Sequence, residues 1–144
     1  MAYATKADLQ KRITDARLVQ LTDFDGSGEM DDTRITEALD LATSAIDSYT
    51  SGRYTLPLVG SNQVKDLCVT LAVHKLYEGR QLAPPEMVAK QQEDAMRLLR
   101  DVSGGKAALD QPAKTQATEM DVKTVDHTDP DKQDVFDPKK LEAY

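Results

Sequence analysis

Asp23-Phe24-Asp25-Gly26-Ser27-Gly28-Glu29-Met30-Asp31 is the stretch of this 144-residue chain whose residue types and spacing come nearest to a chemical site. Laid on an EF-hand loop, Asp23 takes the first ligand position, Asp25 the third and Ser27 the fifth. Gly28 takes the sharp-turn sixth, Glu29 offers its backbone carbonyl at the seventh, and Asp31 is the ninth. Ca²⁺ needs such a cage of hard oxygens on a flexible loop. The twelfth position breaks the pattern, because Arg34 stands where the bidentate Glu belongs. That removes the strongest ligand and sets a positive charge beside the others, leaving Asp32 as a substitute. The preferred reading is a solvated Asp/Gly turn, with its carboxylates near the positive end of the following helix. A weak structural Ca²⁺ on Asp23, Asp25, Ser27, Glu29 and Asp31 is the alternative; no other cofactor is expected.

Nucleophilic and acid–base chemistry find less support. His74 has no second His or Cys at metal-ligand spacing, and His127 lies far along the chain. Cys68 falls on an apolar stripe and reads as a small buried hydrophobe. No nucleophile elbow, phosphate-binding glycine loop or zinc signature occurs, and Gly26-Ser27-Gly28 has no preceding strand. The chain is therefore not expected to be an enzyme. As the one cysteine, Cys68 also excludes an internal disulfide and points to a reducing compartment.

The elements that must position these residues are helices. Thr5 with Asp8 reads as a capping box, followed by Leu9, Ile13 and Ala16 on one face and then Leu18 and Leu21. After the acidic loop, Asp31, Asp32 or Thr33 caps a long helix with Ile35, Ala38, Leu39, Ala42, Ile46 and Tyr49 on its stripe. Gly52 is placed to end it. Ser61 opens a third helix on Val64, Leu67, Cys68, Leu71, Ala72 and Leu76, closed by Gly79. Pro84-Pro85 suits the start of a fourth, with Val88, Gln91, Ala95, Leu98, Leu99 and Val102, stopped by Gly104-Gly105. The expectation is an all-α fold, a small bundle of about four helices over residues 1–105. Residues 106–144 have no sustained period and contain Pro112, Pro130 and Pro138, so they read as an extended arm. Val122, Val125, Val135, Phe136, Leu141 and Tyr144 give that arm anchors that suit ordering against a neighbour.

Arg53-Tyr54-Thr55-Leu56-Pro57-Leu58 is apolar and β-prone, but Pro57 rules out a central strand. It reads either as a linker packing Tyr54 and Leu56 on the core or as a subunit contact through Arg53, Tyr54, Leu56, Pro57 and Leu58. Val135, Phe136, Leu141 and Tyr144 are the corresponding contact candidates in the arm. The core is thin: hydrophobic residues make up 40%, aromatics 5%, and Trp is absent, so a partner is expected to complete it. A net charge of −7 argues against gripping nucleic acid through phosphates, yet suits a wall past which a duplex slides. No segment has membrane-span length, and the chain reads as soluble.

The order of the pieces carries a resemblance. It runs through Met1-Ala2-Tyr3-Ala4-Thr5, Asp8-Leu9, Leu21-Thr22-Asp23, Ile35 to Leu39 and Ala45-Ile46-Asp47-Ser48-Tyr49. It continues through Arg53-Tyr54-Thr55-Leu56-Pro57-Leu58, Leu76-Tyr77-Glu78-Gly79-Arg80 and Ala95-Met96-Arg97-Leu98-Leu99. This resembles the small head–tail connector family of Mu-like tailed phages and prophages over roughly residues 1–108, most specifically from Tyr49 to Leu58. The resemblance implies a neck adaptor in the virion, assembled in the host cytoplasm. It would be a homo-oligomeric, dodecameric ring between the portal protein and the next neck or tail protein. DNA would pass through without specific binding. The alternatives are another neck position (stopper or tail terminator) or a Ca²⁺-binding helical interaction module.

Overall fold

The computed structural model describes residues 2–112. Five helices form there: α1 (Lys6–Arg12), α2 (Asp15–Thr22), α3 (Asp32–Thr50), α4 (Asn62–Gly79) and α5 (Glu86–Ser103). Among the described residues there is no strand, so the all-α expectation holds, with five helices in place of about four. Among the same residues, no helix is long and apolar enough to cross a membrane.

The extra helix comes from a break in the N-terminal pattern. Thr5 and Asp8 form both legs of the capping box, and Thr5 N–H donates to Asp8 Oδ2 at 2.9 Å. The helix then stops at Ile13, whose backbone is extended, and Thr14 caps a second helix by accepting from Arg17 N–H at 3.3 Å. A single helix through Leu9, Ile13 and Ala16 is thus corrected. Leu9, Leu18 and Leu21 are buried, while Ala16 faces solvent. The chain changes direction at Thr14 because a competent cap follows an extended residue.

Helix α4 is the axis of the body. It buries Val64, Leu67, Cys68, Val69, Leu71, Ala72, Val73, Leu76 and Tyr77, which covers nearly its whole circumference. It packs on α1, α2, α3 and α5, and α3 also meets α5. An all-round apolar helix belongs at the centre, with amphipathic ones around it. Helix α3 supplies Ile35, Ala38, Leu39, Ala42 and Ile46; Tyr49 is half-buried. Helix α5 supplies Ala95, Leu99 and Val102, all from its second half, while Gln91 is exposed. Two buried threonines bond back one turn, Thr22 to Leu18 C=O at 2.7 Å and Thr50 to Ile46 C=O at 2.8 Å. Among the described residues no buried side-chain nitrogen or oxygen lacks a partner.

Helix ends differ from expectation in two places. Gly52 does not supply a left-handed cap: α3 ends through Ser51 in right-handed conformation. Helix α4 is closed two residues beyond Gly79, by Gln81 at φ 60. Its N–H donates to Glu78 C=O at 2.9 Å and Leu82 N–H to Tyr77 C=O at 3.1 Å, a Schellman motif. Helix α5 ends in the same motif at Gly105, φ 82, where the expected stop does occur. There Gly105 N–H donates to Val102 C=O at 3.1 Å and Lys106 N–H to Asp101 C=O at 2.8 Å.

Beyond that stop the chain returns to the body. Leu109 is buried, and its N–H donates to Tyr54 Oη at 2.9 Å. The expected arm is described only as far as Pro112. Val122, Val125, His127, Val135, Phe136, Leu141 and Tyr144 lie outside the described residues.

Candidate assembly surface

The Arg53–Leu58 segment leaves α3 through a tight turn, with Arg53 and Tyr54 N–H donating to Thr50 C=O at 3.0 and 2.9 Å. Its side chains then divide. Tyr54 and Leu58 are core residues, whereas Arg53, Leu56 and Pro57 face solvent. The linker reading therefore holds for Tyr54 and is corrected for Leu56, which faces solvent; Leu58, a contact candidate, is a core residue instead, and surface contact is left to Arg53, Leu56 and Pro57. The Arg53 guanidinium lies against Gly105. Leu56 and Pro57 share a shallow depression with Asp40, Ser44 and Asp47 of α3.

Both ends of the segment are fastened by side chains from far along the sequence. Leu58 N–H donates to Tyr3 Oη at 3.1 Å, and the same hydroxyl donates to the Asp47 carboxylate. Burial, reinforced by that bond to Asp47, raises the Tyr3 pKa above its ordinary value. On the other side Gln111 clamps Val59, accepting from its N–H at 2.6 Å and donating to its C=O at 2.8 Å. Ser61, the α4 cap, donates to Asp110 Oδ1 at 2.9 Å while accepting from Val64 N–H at 3.2 Å. The result is a strip fastened at both ends and bent at Leu56 and Pro57, whose side chains it holds outward. Tyr3, Asp47, Leu109 and Gln111 were not singled out from sequence. Their pairings span 44 to 55 residues, and no local pattern signals them.

The acidic loop is built on its own hydrogen bonds. Asp23 Oδ1 accepts from Gly26 N–H at 3.0 Å and Ser27 N–H at 3.0 Å, and Oδ2 accepts from Gly28 N–H at 2.8 Å. These bonds, Gly28's first, hold the Asp23 carboxyl below its ordinary pKa. Asp25 accepts from Ser27 N–H at 3.2 Å. Asp31 is the N-cap of α3, accepting from Thr33 N–H at 3.0 Å, and pairs with Arg34 at 3.4 Å. Gly26 and Gly28 take φ 78 and 80, which the turn requires. The Arg34 guanidinium lies 3.5 Å from the Phe24 ring centroid, and Arg80 4.6 Å from it. Among the described residues, no group of three or more His, Cys, Asp or Glu side chains is arranged to hold a metal ion.

Cys68 is fully buried, 3.6 Å from Thr43 Oγ1, and burial raises its thiol pKa, as a core position on the α4 stripe demands. His74 is half-buried on α4, with Nδ1 3.2 Å from Glu78 Oε1.

Known proteins are similar to this chain over most of its length. The family model described as Bacteriophage Mu, Gp36 matches residues 3–127. The Mu-like prophage FluMu protein gp36 of Haemophilus influenzae is 32% identical over 108 residues, which are 74% of this chain and 74% of that protein. The matched span takes in all five helices and the fastened strip. A match over most of the chain, together with a relative at that identity, decides the family: the chain belongs to the bacteriophage Mu Gp36 family.

Proposed function

We propose that this protein is a structural component of the phage particle, a head–tail connector subunit in the neck. It forms a ring beneath the portal, links the DNA-filled head to the tail and lets DNA pass. The observation that carries this reading is the fastened strip. A helical body that fixes Leu56 and Pro57 outward, beside Asp40 and Asp47, presents a preorganised contact whose ordering cost is met within the subunit. The segment after Pro112, with Phe136 and Tyr144 among its anchors, is the second contact, ordering on a neighbouring subunit or on the portal. Net charge supports the lumen role, since a chain of −7 repels phosphates and keeps a passing duplex mobile. The ring assembles in the host cytoplasm and resides in the virion neck.

Leu56→Asp and Arg53→Glu test the strip, because both residues are exposed and neither substitution disturbs the core. Each variant keeps the helical circular-dichroism signal of the parent and loses co-sedimentation with the portal ring. Undiminished co-sedimentation of both would contradict the reading.

A further inference from the structure

Between α3 and α4 lies a solvent-open cavity of about 110 Å³. Its floor is Leu21, Ala38 and Leu76, all buried, and its walls are Phe24 and Leu41, 44% and 55% exposed. A cavity of this size takes one apolar side chain. At the start of α5 the opposite feature occurs. Met87 is 72% exposed, the highest of the exposed large hydrophobics among the described residues, and no residue of α5 before Ala95 is buried. Val88 in that half of α5 is partly buried against the core, which leaves Met87 as its exposed large apolar residue among the described residues.

Charges around the two features match. Arg34, Glu37 and Lys75 line the cavity, and Arg34 is already paired with Asp31 and stacked on Phe24. Glu86 adjoins Met87, and Lys90 stands about one turn further along α5. Glu37, Glu86 and Lys90 form no ion pair among the described residues, and Lys75 has only an exposed contact with Glu78 on its own helix.

We infer that Met87 of one copy seats in the Leu41 cavity of the next, with Lys90 meeting Glu37 and Glu86 meeting Lys75. A flexible thioether suits an irregular cavity of this kind. Repeated in one direction from copy to copy, a knob-into-hole contact of this kind closes into a ring when the rotation permits. This inference rests on the ring reading above and names the surface that would build the ring.

Two proteins with one added cysteine each test it, Leu41→Cys and Met87→Cys, one of them carrying a mass tag. Both positions are exposed, and the native Cys68 is too buried to compete. Oxidising the mixture gives the mixed disulfide dimer, whereas each protein alone stays uncross-linked. Met87→Asp weakens self-association by about tenfold or more, as loss of an interface anchor does, and Met87→Leu retains it. Glu37→Lys and Lys90→Glu each weaken it and together restore it. Three results would overturn the inference: no mixed disulfide, a Leu41→Cys homodimer in its place, or cross-linking of Leu41→Cys to Phe136→Cys but not to Met87→Cys. The last would give the cavity to the C-terminal segment. Binding to the portal ring is scored separately. A portal complex without the mixed disulfide removes this contact alone; the mixed disulfide without a portal complex removes the neck reading and leaves the contact standing.

Discussion

The hydroxyl of Tyr3 receives one hydrogen bond from Leu58 and gives another to Asp47, so a single phenol joins the N-terminal segment, α3 and the fastened strip. Its raised pKa has a consequence for stability. A group with a raised folded-state pKa contributes stability that is complete below its unfolded value and is lost as pH rises through the folded one. The Tyr3 contribution is therefore intact below 10.0 and disappears above it. Cys68 adds a loss of the same sign, starting from 9.0. Denaturation midpoints measured from pH 8 to 11 fall in the parent, and Tyr3→Phe flattens the upper part of that fall. Leu99, fully buried where α5 meets the body, gives a larger single effect: Leu99→Ala costs about 2–5 kcal/mol by chemical denaturation. The acidic loop gives a contrasting prediction. Asp23 already accepts three backbone N–H groups, Asp31 caps α3, and Arg34 stands where the last ligand should be. Calcium titration by calorimetry gives no sub-millimolar heat and no rise in helicity. A sub-millimolar, helix-forming transition would restore the calcium reading.

Caps and stripes made the elements legible. Thr5 and Ser61 were read as caps and act as caps, Asp31 is the one of three candidates that caps α3, and the stripes of α3 and α4 are buried nearly as their periodicity requires. The division of α1 from α2 was missed because apolar spacing runs on across Ile13, while Thr14 resembles any helical threonine until the backbone extends before it. Gln81 was missed for a similar reason. Gly79 carried the glycine signal, yet the left-handed position falls on a residue whose type does not advertise it. Gln81→Gly relieves that conformation and raises stability by about 0.5–1 kcal/mol in the same denaturation assay, after the extra chain entropy of glycine is counted. Of the assembly surface, sequence identified the strip but not which of its residues face outward, because Tyr54 and Leu58 find partners 55 residues away. Those partners set a boundary as well. A chain ending at Gly104 loses Leu109 from the core and the Gln111 clamp on Val59. Burying a leucine is worth about 1.5–3 kcal/mol, so its midpoint falls below that of a chain ending at Pro112, which keeps both.

At the scale of the whole molecule, four helices around α4 make a body that presents a fastened strip, a cavity with an apolar floor and an exposed methionine. None of these features has an evident use in a chain that acts alone, and each suits a subunit that repeats around an axis. The central claim is that this subunit assembles with the portal of its phage. Native mass spectrometry of the protein mixed with the portal ring tests it most directly, with the chain ending at Pro112 and full-length Phe136→Asp measured alongside. The account predicts one complex of fixed stoichiometry, matched to the portal's own symmetry, for the full chain, and a weakened one for both altered proteins. Portal rings that remain unloaded at every ratio would contradict it.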